Sequence, residues 1–133
     1  MRVFLDTNVL ASALMARGLC AELFEIIVAE HEALIGEPVI KELKTILARK
    51  FRVPSSLIAE TESMLRTHTM LPGADSAPKL RIKDRDDPWI IACALAGQAD
   101  LFVTGDREVI ELEAVSGMPI VAPRACWERL RSA

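Results

Sequence analysis

Short apolar runs with no polar alternation punctuate this chain: Val3-Phe4-Leu5, Ala33-Leu34-Ile35, Leu101-Phe102-Val103 and Ile120-Val121-Ala122. Successive side chains of a strand point to opposite faces of a sheet, so a strand with one wet face alternates and a strand covered on both faces does not. These runs are too short to be helices and are rich in β-branched and aromatic residues. Between them lie longer segments with helical spacing, such as Leu23, Phe24, Ile26, Ile27 and then Val39, Leu43, Ile46, Leu47. Strands separated by helices imply a parallel sheet with right-handed crossovers. The expected fold class is therefore α/β, a three-layer α/β/α sandwich whose central parallel sheet has about five short strands.

The segments follow in order. Residues 2–5 read as a strand, Asn8 to Met15 as a helix that ends at Arg17-Gly18, and Cys20 to Ala29 as a second helix. A strand at 33–36 leads into a helix over 38–50, with Pro38 suited to its first turn. Pro54 starts a helix that runs to Arg66, and Thr69 to Leu71 reads as a short strand. Pro72 to Pro78 has loop composition. Asp87-Pro88 opens a strongly apolar helix to Gly97. A strand at 101–104, a helix at 107–114, a strand at 120–122 and a helix at 123–131 complete the pattern. No internal repeat is visible, and 133 residues suit a single domain spanning 1–133.

Composition excludes several classes. With 51% hydrophobic and 26% charged residues the chain is globular and not disordered. No apolar run approaches the roughly 20 residues of a membrane span. Asp6 interrupts the opening apolar run at once, unlike a secretory signal, so a cytoplasmic protein is expected. Cys20, Cys93 and Cys126 are widely spaced, with no paired motif, and read as small buried hydrophobes. His31 and His68 sit in no motif, so histidine base chemistry has little support.

Acidic residues are placed more tellingly. Asp6 and Asp106 each follow a strand and precede a helix; Asp87 opens a helix; Glu42 lies inside one. In a parallel α/β sheet, positions just past the carboxyl ends of the strands lie along one edge, where ligands bind. Carboxylates gathered there repel one another unless a cation sits among them, and hard oxygen donors suit Mg²⁺ or Mn²⁺. Each acid also has a plain structural reading. Asp6, Asp87 and Asp106 are well placed as helix N-caps, Asp87 with Pro88 at the first helical position. Glu42, between Lys41 and Lys44, reads singly as a surface glutamate. Thr104 is placed to orient a carboxylate or a bound water.

In combination, the acids resemble a family. Val3-Phe4-Leu5-Asp6-Thr7-Asn8-Val9-Leu10 is similar to the opening of PIN-domain nucleases, and Val39-Ile40-Lys41-Glu42-Leu43 to the segment with their second acid. Asp87-Pro88-Trp89-Ile90-Ile91-Ala92-Cys93-Ala94-Leu95 resembles their third motif, and Leu101-Phe102-Val103-Thr104-Gly105-Asp106 their fourth. The resemblance is nearest to stand-alone PIN proteins of the VapC-like toxin type. It implies a metal-dependent ribonuclease in which Asp6, Glu42, Asp87 and Asp106 are catalytic and hold Mg²⁺ or Mn²⁺. Asn8 is then an orienting residue or a water-mediated ligand. It further implies RNA cleavage leaving a 5′-phosphate, a cognate antitoxin that covers the acidic groove, and a homodimer.

The net charge of -3 is not that of a typical nucleic-acid binder, although an acidic metal site contributes to it. Basic residues are locally dense at Arg49, Lys50, Arg52 and at Lys79, Arg81, Lys83, Arg85. Lys83, Arg85 and Arg107 are candidate phosphate contacts, which give affinity without reading sequence. Tyrosine is absent, and Trp89 and Trp127 are expected in the core or at an interface, so recognition of RNA shape is favoured over base readout. Three other readings fit less well. A receiver-type phosphotransfer module needs a lysine after a late strand, and none follows Val121-Ala122. A haloacid-dehalogenase-like phosphatase needs a second acid where Asn8 stands. A catalytically weak PIN-fold module that binds RNA or protein is compatible with the fold, though the retained acids weigh against it.

Overall fold

The computed structural model describes residues 1–132. The chain runs β1 (Arg2–Leu5), α1 (Thr7–Met15), α2 (Leu19–Glu30), β2 (Glu32–Gly36), α3 (Glu37–Arg49), α4 (Ser55–Leu65) and β3 (Thr69–Leu71). It continues through α5 (Asp87–Ala96), β4 (Leu101–Val103), α6 (Arg107–Ile110), β5 (Ala114–Val115), β6 (Met118–Val121) and α7 (Pro123–Ser132). The strands form one sheet in the order β3-β2-β1-β4-β6-β5, parallel except where β5 meets β6. Val3, Phe4, Leu5, Leu34, Ile35 and Leu101 to Val103 are all buried. Because neighbouring residues face opposite ways, this continuous burial requires helices on both faces of the sheet. The three-layer α/β/α sandwich expected from the apolar runs is the observed architecture.

At the centre, β1 pairs with β4 so that Phe4 lies opposite Phe102, and the two rings stack at 5.3 Å between centroids. Gly36 ends β2 and leads into α3. A Cβ there would stand 3.0 Å from both Cys93 Sγ and the Phe4 ring, so the absence of a side chain lets α5 close on the sheet. Cys93 and Cys126 are buried, and Cys20 is partly buried against the core, as small hydrophobes.

One segment departs from the helical reading of 107–114. Helix α6 ends at Ile110, Glu113 takes a φ of 64°, and Ala114-Val115 turns back along Met118-Val121. Ser116 and Gly117 between them have φ values of 48° and 84°. Two consecutive left-handed residues make a tight hairpin whose twist matches that of the strands. The helix-forming Glu-Leu-Glu-Ala stretch is overridden because Val115 and Met118 find core contacts only in the hairpin. The sheet therefore gains a sixth strand, antiparallel at its edge.

Candidate functional site

From β1 the chain moves outward through β2 to β3, then returns to β4 on the other side of β1. The strand order thus reverses between β1 and β4, and in open α/β sheets the crevice outside the carboxyl ends at such a point is where ligands bind. Asp6 follows β1 at this point, and Thr104 follows β4.

Asp6 is only 4% exposed. Its Oδ1 accepts from Thr7 N at 2.8 Å, capping α1. Its Oδ2 accepts from Thr104 Oγ1 at 2.7 Å and from Asn8 Nδ2 at 3.2 Å. Burial raises its pKa, hydrogen bonds from Thr104, Thr7 and Asn8 pull it back, and the Asp106 charge raises it further. Asn8 ties the two loops together: its Nδ2 also reaches Thr104 Oγ1 at 3.3 Å, and its Oδ1 accepts from Gly105 N at 2.7 Å. A Cβ on Gly105 would stand 3.1 Å from that oxygen, so glycine permits the approach. Thr104 Oγ1 in turn accepts from Asp106 N at 3.1 Å.

Asp106 caps α6 by accepting from Glu108 N at 2.9 Å. Asp87 is not the cap of α5. Asp86 occupies that position without a side-chain cap bond, which makes Asp87 and Pro88 the first two helical residues. The Asp87 carboxyl is therefore free of a capping role. Burial first, then the charges of Asp84, Asp6, Asp106 and Glu42, push it up to about 7. Glu42 projects from α3 and is half-buried. Burial raises its pKa, and Asp6, Asp84 and Asp86 raise it further. The nearby Thr7 hydroxyl offsets part of this, although its oxygen is buried and makes no hydrogen bond of good geometry.

The fold thus brings the Asp6 charge to bear on Glu42 and Asp87, the Glu42 charge on Asp87, and the Asp106 charge on both Asp6 and Asp87, each opposing ionisation of the carboxyl it faces. Among the described residues, no three acidic, His or Cys side chains already stand closed around a metal-sized point. Lys83, Arg85 and Arg107 are exposed. The Lys83 amide donates to the Glu108 carboxylate, fastening the irregular stretch over 72–86 to α6. Among the described residues, none of the three makes an ion pair within 4.0 Å.

Three features of the site take their roles only from the tertiary structure. Thr7 faces Glu42 from the turn it shares with Asp6. Asp84 opposes the ionisation of both Glu42 and Asp87, and Asp86 that of Glu42. Trp89 is not in the core. It is 45% exposed, because Ile90 to Ala94 take the inward positions of α5. Trp127 does pack against the core, with Arg131 4.5 Å above its ring.

The PIN domain family model matches residues 2–108, from β1 to the first turn of α6. The chain belongs to the PIN domain family. No curated protein matches it in sequence. Its PIN fold is shared with a chain of VapBC2 from Rickettsia felis, solved bound to a DNA fragment from their promoter. That chain is 16% identical, with a TM-score of 0.66, and the match covers 92% of this chain and 98% of that one. PAE2754 from Pyrobaculum aerophilum is also 16% identical, with a TM-score of 0.57 over 100% of this chain and 97% of that one. At such identities the likeness is one of fold.

Proposed function

We propose that this PIN domain is a metal-dependent endoribonuclease, the toxin of a type II toxin–antitoxin pair, acting through Asp6, Glu42, Asp87 and Asp106 within one domain spanning 1–133. The observation that carries this is the convergence of four carboxylates on the reversal point of the sheet, beside a buried Thr7 hydroxyl with no partner. A donor set of hard oxygens whose members oppose one another's charge fits Mg²⁺ or Mn²⁺. Asp6, Glu42 and Asp87 would hold the ion, with Asp106 completing the set.

Such an ion, when bound, polarises a phosphodiester and lowers the pKa of water. The chain supplies the rest. Thr104 and Asn8 fix the Asp6 carboxylate through Oδ2, which leaves acceptor capacity on Oδ1 beside the single bond from Thr7 N. Asp87 rides on a rigid helix and needs no reorientation from a cap. Lys83, Arg85 and Arg107 at the rim contact backbone phosphates, which position a strand without reading it. Hydrolysis by this route leaves a 5′-phosphate and makes no use of a histidine pair.

The VapBC2 likeness supports a cognate antitoxin as partner in the cytoplasm. Among the described residues no helix is long and apolar enough to cross a membrane. Exposed Met15, Phe51, Leu57 and Met64 line one surface cavity and support burial against a second copy in a homodimer or against that partner. The open arrangement of the carboxylates favours one second reading, a PIN module that binds RNA or protein without cutting.

Incubation with structured and unstructured RNA, in Mg²⁺, Mn²⁺ or EDTA, separates the two. Metal-dependent cutting with 5′-phosphate ends, lost in Asp6→Asn, is the expected result. Tight RNA or protein binding with no cutting in any metal defeats the nuclease reading.

A further inference from the structure

Beside the carboxylates, a cavity of about 400 Å³ opens between α3 and α5. Lys41, Glu42, Ile46, Asp86, Trp89 and Ile90 line it. The same wall therefore carries one of the four proposed catalytic acids and the exposed indole of Trp89. We propose that this cavity takes the nucleobase next to the scissile phosphate of a single-stranded RNA, stacked on Trp89. The proposal rests on the nuclease reading and specifies the substrate of that same site.

The chemistry matches on three sides. Trp89 offers a flat apolar face at the first turn of a helix whose next five residues are buried. Every base has a π-face, and stacking on aromatic side chains is a general way to hold single-stranded nucleic acid. The Lys41 ammonium, at the lip, meets the phosphate that joins the seated base to its neighbour. Asp86 accepts no side-chain cap bond and lines the cavity, so its carboxylate is free to accept from a base amino group. The cavity has room for a nucleobase. Because Glu42 is part of its wall, a base seated there lies next to one of the proposed catalytic carboxylates. Trp89 supplies base contact that the sparse aromatic content argued against, because a single exposed ring suffices when it stands at the site itself.

The test uses full-length protein and a single-stranded RNA that it cuts at one position, together with copies of that RNA made abasic at each nucleotide in turn. Trp89→Ala is expected to raise KM, or Kd in EDTA, about 5- to 100-fold with a smaller change in kcat. Trp89→Phe is expected to restore most of the loss. One abasic substitution adjacent to the cut should weaken wild-type binding by a similar factor and have no further effect in Trp89→Ala. Equal KM in wild type and Trp89→Ala, with cutting intact, overturns the base subsite and leaves the nuclease reading standing. So does loss of partner-protein binding in Trp89→Ala with RNA binding unchanged. Absence of any metal-dependent cutting by the wild type overturns the nuclease reading and this proposal together.

Discussion

Asp6 shows how one side chain serves local structure and chemistry together. One oxygen caps α1 through Thr7, and the other is held by Thr104 and Asn8. An asparagine keeps the capping oxygen but loses the charge, so Asp6→Asn should fold and fail to cut RNA, with activity reduced at least 100-fold in an endpoint assay. Asn8 is the bridge between the turns after β1 and β4. Asn8→Ala removes three hydrogen bonds, and we expect about 1 kcal/mol lower stability by urea denaturation and an activity loss of about 10- to 100-fold. An unchanged rate in Asn8→Ala means the bridge does not orient Asp6.

Asp87 allows a pH test. Its folded pKa is raised, so its contribution to metal-free stability is present below its unfolded value near 3.8 and is lost as pH rises through about 7. Glu32, Glu37 and Glu62 are held below their ordinary values, chiefly by hydrogen bonds from Thr69, Arg66 and Lys44 respectively. Their contributions are lost as pH falls through those lowered values, in a more acid window. In EDTA the melting temperature should therefore fall between pH 5 and pH 7.5 for the wild type, and the slope should be shallower in Asp87→Asn. Parallel curves for the two proteins refute the crowding of Asp87.

At the scale of elements, α3 is the one whose placement matters most, because it carries Glu42 to the crevice. Gly36 sets its start by letting Phe4 and Cys93 approach. Gly36→Ala forces both to give, which costs about 1–3 kcal/mol in denaturant unfolding. On the far side of α3, Glu37 and Glu62 share the guanidinium of Arg66, and Lys44 also meets Glu62. These groups are partly exposed and screened, so Arg66→Ala should cost less than about 1 kcal/mol and leave the cleavage rate unchanged. The helix itself was legible in its Val39, Leu43, Ile46, Leu47 stripe. The β5–β6 hairpin was not, because two left-handed residues and a cross-strand contact outweighed the helical propensity of the four residues before it.

The whole molecule is organised by the reversal of strand order between β1 and β4. That reversal gathers residues from four distant segments at one edge, and a cation bound among them would stabilise the folded state by mass action. Millimolar Mn²⁺ or Mg²⁺ is expected to raise the melting temperature saturably, by about 2.7 kcal/mol of stability at a hundredfold excess over Kd. The double variant Asp6→Asn with Asp87→Asn should not respond. A wild-type melting temperature indifferent to either metal would remove the site as a cation holder.

Some of this was written into the order of residues. Unbroken apolar runs between helical stripes are only satisfied by a sheet covered on both faces, so the sandwich followed from burial and side-chain geometry. Asp6, Asp87 and Asp106 stand out because a strand end or a helix start is a local property, whereas Glu42, inside a helix, was named only by the resemblance to the PIN family. Which bland role each acid escapes is not local. Asp87 turned out to be a helical residue and Asp86 the cap, a difference of one position that depends on how α5 meets the loop before it. The exposure of Trp89, the lone hydroxyl of Thr7 and the pull of Asp84 and Asp86 on Glu42 likewise arise from contacts between segments tens of residues apart. Period and composition fix which faces are apolar, but a side chain's electrostatic surroundings are set by its neighbours in space, and those exist only once the sheet has closed.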